Sequence, residues 1–215
     1  MNDTTSPQNK PSGRGPRRPA PRKPARALHP TLAALFELYP DVFGVRVLPL
    51  KVGIFEDLVA AQPEKLKPEE LKVALGQHTR SNRYLEAVAS GLQRHDLQGQ
   101  PVDPVAPEHV HHAIVELYRR KAGTPQEPQA RERALRQLAA NIERSELERD
   151  GYRERFGSGA EPSRMLVDEA LMAIGQRSAR QEALRRAFQA SGKSAEEFAE
   201  MYGLSVGEVK ALASR

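Results

Sequence analysis

The sequence predicts an α+β fold: a mostly helical domain carrying a short β-hairpin or sheet, followed by an α-helical C-terminal region. Three observations predict it. Apolar residues recur at helical spacing through most of residues 28–122. Two short stretches there, at 43–50 and 92–102, read instead as strands. Beyond residue 130 the chain is charged, helical in its periodicity and without a further strand signal.

Leu32, Leu35, Phe36 and Tyr39 follow the i, i+3, i+4, i+7 spacing of a helix with one buried stripe, which Pro40 closes. The stretch "FGVRVLPL" (43–50) alternates and is rich in Val, which predicts a strand ending at Pro49. Ile54, Phe55, Leu58 and Val59 mark a second helix. Pro68 stands where a first-turn proline belongs, ahead of Leu71, Ala74, Leu75 and His78 on one face. Another helix starts within "TRSNRYL" (79–85) and ends near Gly91. "LQRHDLQGQPV" (92–102) predicts a strand, a turn at 99–101 and room for a return strand. Pro107 opens a long helix with Val110, Ala113, Ile114, Leu117 and Tyr118 inward. In the C-terminal region Leu135, Leu138 and Ile142 form one stripe, and Leu166, Leu171 and Ile174 belong to a later one. The expected organisation is a disordered, basic Pro/Arg-rich arm at 1–27, a domain at 28–122, a linker at 123–130 and a helical accessory region at 131–215.

Composition excludes several classes of function. The 215 residues include no cysteine, so the chain has neither a disulfide framework nor a thiolate metal site. No apolar run is long enough to span a bilayer, and no apolar stretch follows the basic N-terminus as it would in a secretory signal. A soluble cytoplasmic protein without a membrane partner is expected. The net charge of +5 is uneven: residues 1–26 hold seven Lys/Arg against one Asp, whereas 27–123 carry a net −1 and 124–215 a net of zero. Such an arm suits phosphate contact. The sequence has no P-loop or G-x-G-x-x-G motif and no G-x-S-x-G nucleophile elbow, since its G-x-S-x-G match at 203–207 falls between two helical patterns and not on a strand-to-helix turn; no enzyme or cofactor is expected.

The stretch "TRSNRYL" poses a physical question. Thr79 or Ser81 can cap a helix through its hydroxyl. The first turn of a helix favours negative side chains, yet here Arg80 and Arg83 flank the cap. Backbone N–H groups, the helix dipole and two guanidinium groups together suit an anion arriving from outside. Tyr84 beside them offers an aromatic ring of the kind on which single-stranded bases stack.

Three blocks, "PLKVGIFEDL", "ALGQHTRSNRYL" and "RHDLQGQPV", occur in this order and spacing. Together they resemble the ProQ/FinO domain, a bacterial RNA-binding fold, over about residues 28–121. The resemblance implies an RNA chaperone that recognises terminator hairpins and U-rich 3′ tails of small RNAs and mRNAs, in post-transcriptional regulation. It implies two subsites. Lys51, Gly53, Tyr84, Leu85 and Arg94 match a pocket for the 3′-terminal nucleotides. Thr79, Arg80, Ser81 and Arg83 match a helix start that meets phosphates at the base of the hairpin, and Lys72 completes the expected RNA-contacting set. Several positions depart from the family pattern: Gly76 stands where a basic residue is common, His78 where a tyrosine is common, and Asn82 where Trp is common.

Two further motifs need weighing. In "HVHH", His109 and His112 have metal-ligand spacing on a helix, but no third ligand is placed with them and no metal is expected. At the C-terminal end, Ser194 with Glu197 and Ser205 with Glu208 form capping boxes around Gly203, a helix-turn-helix-like pair at 194–214. This pair supports an alternative, a DNA-binding transcription regulator. Its second helix offers few groups able to read bases, so a packing or protein-contact module is the favoured reading of the pair.

Overall fold

The structure, a computed structural model, describes residues 27–157, 159 and 161–213. Except for Ala27, the basic arm expected at 1–27 lies outside the described residues, as does Ser214 of the C-terminal pair. Eleven helices are described: α1 (Pro30–Leu38), α2 (Pro40–Phe43), α3 (Ile54–Ala61), α4 (Pro68–Thr79), α5 (Asn82–Ala89), α6 (Pro107–Arg119), α7 (Glu127–Arg144), α8 (Arg149–Phe156), α9 (Glu161–Ser191), α10 (Ala195–Tyr202) and α11 (Val206–Ala213).

The expected α+β class is corrected by this architecture. The fold is helical, and no β-strand forms among the described residues. In place of the hairpin stand two isolated bridges, Leu50 with His95 in parallel sense and His95 with Pro101 in antiparallel sense. Pairing does not extend because Pro49 and Pro101 bring no N–H to a ladder. The Asp96 carboxylate instead accepts from the N–H groups of Gln98 and Gln100, curling the chain into a turn. The Val-rich stretch at 43–50 is also not extended throughout. Phe43 ends α2, Val45 is 96% exposed, and the chain loops so that the Leu48 N–H reaches the Val42 carbonyl. Gly44 permits that exit, because a Cβ there would lie 2.3 Å from the Pro40 carbonyl oxygen.

The helical expectations match the helices seen. Leu71, Ala74, Leu75 and His78 are the buried face of α4, which opens on Pro68 with Glu69 and Glu70 in its first turn. Val110, Ala113, Ile114 and Tyr118 are buried on α6, and Leu117 is partly buried against the core. The side chain of Gln77 joins α4 to the start of the described chain: it accepts from the His29 N–H and donates to the Ala27 carbonyl, both at 2.9 Å.

One apolar core runs from Leu32 to Leu171 and includes Ala134, Leu138, Ile142 and Tyr152 from α7 and α8. α7 begins at Glu127, within the stretch expected as a linker, and packs on α6. It also grips α5: the Gln137 side chain donates to the Ala89 carbonyl, and the Arg144 guanidinium lies against Gly91. Tyr152 is fully buried and joins three elements, since its hydroxyl meets His111 Nδ1 at 2.9 Å and Asn141 Nδ2 at 3.0 Å. A second, small apolar cluster lies at the end of the chain. Phe198, Ala199 and Val209 pack there with Phe188 of α9.

Candidate nucleic-acid interface

The α4–α5 junction is built by local rules. Thr79 closes α4 and turns its hydroxyl back onto the Leu75 carbonyl at 2.9 Å. Ser81 is therefore the N-cap of α5, its hydroxyl accepting from the Tyr84 N–H at 3.2 Å. Arg80 and Arg83 flank the cap and are exposed.

The Leu50 peptide then brings Tyr84 and Arg94 together. Its N–H donates to the Tyr84 hydroxyl at 3.2 Å, and its carbonyl accepts from Arg94 Nη1 at 2.9 Å. The other Arg94 Nη sits 3.2 Å from His109 Nδ1. An arginine can only donate, so His109 presents a lone pair there. Tyr84 is 8% exposed, which leaves little ring surface for a base to stack on. Burial raises its hydroxyl pKa, opposed by the Leu50 bond and by Arg94.

Five residues selected from the sequence, Thr79, Arg80, Tyr84, Leu85 and Arg94, line one pocket of about 510 Å³ between α5 and α6. The others are placed around it. Lys51 binds Asp57 at 2.7 Å, a bond that raises its ammonium pKa. Gly53, at φ +86°, begins α3 in the left-handed region, where the open space around it would admit a Cβ but the backbone angle would not. Arg83 donates to the carbonyls of Gly44 and Val45 at 3.1 and 2.5 Å. Lys72 is exposed on α4, spaced four and eight residues before Gly76 and Arg80. The Arg80 guanidinium lies over Gly76, in the space a side chain would fill.

Sequence reasoning missed four polar residues of this pocket: His109, His112, Glu116 and Arg120, all on or at the end of α6. The three-residue spacing of the histidines marked a shared face, which is the pocket face. No group of three potential metal-ligating side chains forms among the described residues. Nothing local marked Arg120, because its partners Arg80 and Asn82 are 40 and 38 residues away. The Glu116 carboxylate, also in the pocket, is held down to about 2 by its bond from Arg119 and by Arg120.

Beneath the cap lies His78, ringed by Phe36, Phe43 and Tyr84. Burial pushes its imidazole down to about 4, with Arg83 adding to the shift. His78 is thus a neutral packing residue near the site.

Taken together, the helices and the donor-rich pocket define the class: a helical domain with an arginine-lined cleft beside a capped helix start. The chain belongs to the ProQ/FINO family, whose model matches residues 25–134, just over half of it. The RNA chaperone ProQ of Shewanella oneidensis is 43% identical over 86 residues, covering 38% of this chain and 40% of that protein. That of Idiomarina loihiensis is 38% identical over 107 residues, 48% of this chain and 51% of that protein. The chain thus spans about half, or less, of the length of these relatives. Among solved structures, a FinO-like RNA chaperone from Neisseria meningitidis MC58 is 36% identical, with a TM-score of 0.36 over 39% of this chain and 85% of that one.

Proposed function

We propose that this chain is an RNA-binding protein and RNA chaperone that takes hold of structured RNAs at a terminator hairpin and its U-rich 3′ tail. One observation carries the reading: Thr79, Arg80, Tyr84, Leu85 and Arg94 converge on a single pocket beside a capped helix start. Helix-end amides and arginines suit an A-form stem, which is read by shape and backbone. The pocket beside them suits the chain end that leaves the stem. Family membership and relatives described as RNA chaperones support the same reading. The protein acts by binding, without chemistry, on small RNAs and message 3′ ends in the cytoplasm. The basic residues of 1–26 add a sequence-independent share of affinity.

The test is a titration of one terminator hairpin with a free U-tail, the same stem without the tail, and a DNA duplex of equal length. The full hairpin should bind at least tenfold tighter than either control. Equal affinity for the duplex DNA would turn the assignment toward the C-terminal helix pair. That pair gives the DNA reading little support, since on α11 Glu208 caps at Ser205 and Lys210 faces Glu196 at 3.7 Å. Contact with another protein through α10 and α11 is the role we assign to it. Removing residues 1–26 should make the slope of log affinity against log salt shallower while the preference for the tailed hairpin persists.

A further inference from the structure

Arg120, just past α6, makes three hydrogen bonds at once. Nη1 donates to the Arg80 carbonyl at 2.8 Å and to Asn82 Oδ1 at 2.7 Å, while Nε donates to Glu116 Oε1 at 2.9 Å. Arg80 and Asn82 are the two neighbours of Ser81, the N-cap of α5. Arg120 therefore grips the cap from both sides and ties it to α6. Arg120 is also part of the pocket lining, so it stands where the pocket and the helix start meet.

Its charge is compensated in place. Glu116 takes bonds from Arg119 and Arg120 on its two oxygens. A guanidinium with a carboxylate partner has less charge to offer phosphate than Arg80, Arg83 or Arg94, which have no carboxylate within ion-pair distance among the described residues. A guanidinium fixed by three bonds also holds its neighbours still. We propose that Arg120, held by Glu116, is a positioning residue for RNA: it fixes the Arg80–Asn82 turn so that the α5 amides and the guanidinium groups of Arg80 and Arg83 meet phosphate in one geometry. This inference rests on the RNA-binding reading above.

The proposal makes a prediction of opposite sign to plain electrostatics. Replacing Glu116 by Gln removes a negative charge from the pocket, which by charge alone strengthens RNA binding. If Glu116 works through Arg120, the same change loosens the cap and weakens binding. The experiment titrates the full chain with a terminator hairpin bearing a free U-tail at several salt concentrations. It compares wild type with Glu116→Gln, Arg120→Ala, Arg120→Lys and Arg119→Ala, and takes a melting temperature for each. Glu116→Gln and Arg120→Ala should each weaken binding about fivefold with the salt slope unchanged. Arg120→Lys should not rescue, since an ammonium cannot make the forked contact. Arg119→Ala, at an exposed position, should stay within twofold. Amide hydrogen exchange at 81–84 should quicken in Arg120→Ala.

Tighter binding by Glu116→Gln, or a salt slope reduced by about one in Arg120→Ala, would mark Arg120 as a phosphate contact and overturn the positioning role. Unchanged affinity in Arg120→Ala, in a chain that melts like wild type, would do the same. A wild-type chain that ignores the hairpin sinks the RNA reading and the positioning role together. A wild type that binds beside variants that bind equally well sinks the positioning role alone.

Discussion

Arginine does different work in two regions of this molecule. Along α7 to α9, guanidinium groups are matched by carboxylates: Arg131 with Glu169, Arg136 with Glu132, Arg153 with Asp150 and Asp168, Arg177 with Glu143, and Arg185 and Arg186 on one Glu182. At the α4–α5 junction, Arg83 and Arg94 lean on backbone carbonyls and Arg80 lies over a glycine. A carbonyl orients a guanidinium without cancelling its charge, whereas a carboxylate cancels it. The domain at 27–123 has a net charge of −1, so net charge is no guide to where it meets an anion. What matters is which cations lack a carboxylate partner and face one cleft.

The largest effect that sharpens this comparison concerns stability, not binding. His78 lies under the site, and His111 lies at the seam with α8; burial brings both down to about 4. In the unfolded chain each titrates near 6.5, so between those values the unfolded state binds the proton and the native state does not. The stabilisation is complete above 6.5 and is lost as pH falls toward 4. Urea unfolding at pH 7.5 and pH 5 should differ by about 2 kcal/mol for each histidine. A His78→Phe variant should lose its share of that pH dependence, and an unaltered dependence would mean that His78 is not buried neutral.

Tyr152→Phe comes next. It deletes the hydroxyl shared by His111 and Asn141 and should lower the unfolding free energy by about 1–3 kcal/mol. RNA affinity should hold within twofold, because the loss falls at the seam and not in the cleft. A parallel loss of affinity would show that the two regions are not separable.

The comparison itself is tested by Arg94→Ala against Arg177→Ala. The first should weaken hairpin binding about tenfold, roughly 1.4 kcal/mol, and the second should leave it unchanged. Equal losses would erase the distinction between paired and unpaired arginines. Lys72→Ala should have the smallest effect, about twofold, with a salt slope shallower by about one. A steeper loss would move the RNA path further along α4.

Much of this was legible in the sequence because the signals are local. Pro68, the buried stripe from Leu71 to His78 and a cap at Thr79 or Ser81 place the α4–α5 junction without tertiary information; the structure selects Ser81. Family resemblance put Tyr84, Leu85 and Arg94 in one expected subsite and Thr79 and Arg80 in another; that all five line one pocket was not legible, and Leu50, which joins Tyr84 to Arg94, is 34 and 44 residues from them. The strands were misread because Val alternation describes how side chains face, while Pro49, Pro101 and the Asp96 turn decide whether a ladder can form. The docking of α7 was not legible either: Leu135, Leu138 and Ile142 read as one stripe of a separate accessory region, whereas Ala134, Leu138 and Ile142 belong to the same core as α4 to α6. The role of Arg120 was hidden for the same reason, since Arg80 and Asn82, which it grips, are distant in sequence although Glu116 is four residues away.

α9 runs for 31 residues, about 46 Å, and its two ends belong to different apolar clusters. Between them, residues 176–181 are exposed on every side. Cooperativity in folding passes through shared burial, and that stretch shares none. The end of α9, α10 and α11 should therefore open as a unit of its own, at a lower free energy than the main body. Heating or denaturant should resolve two transitions, and a protease that cuts after arginine should find Arg177 or Arg180 before it reaches the core. On that expectation the main body and the terminal cluster are one molecule by covalent connection and two by thermodynamics, with α9 running through both.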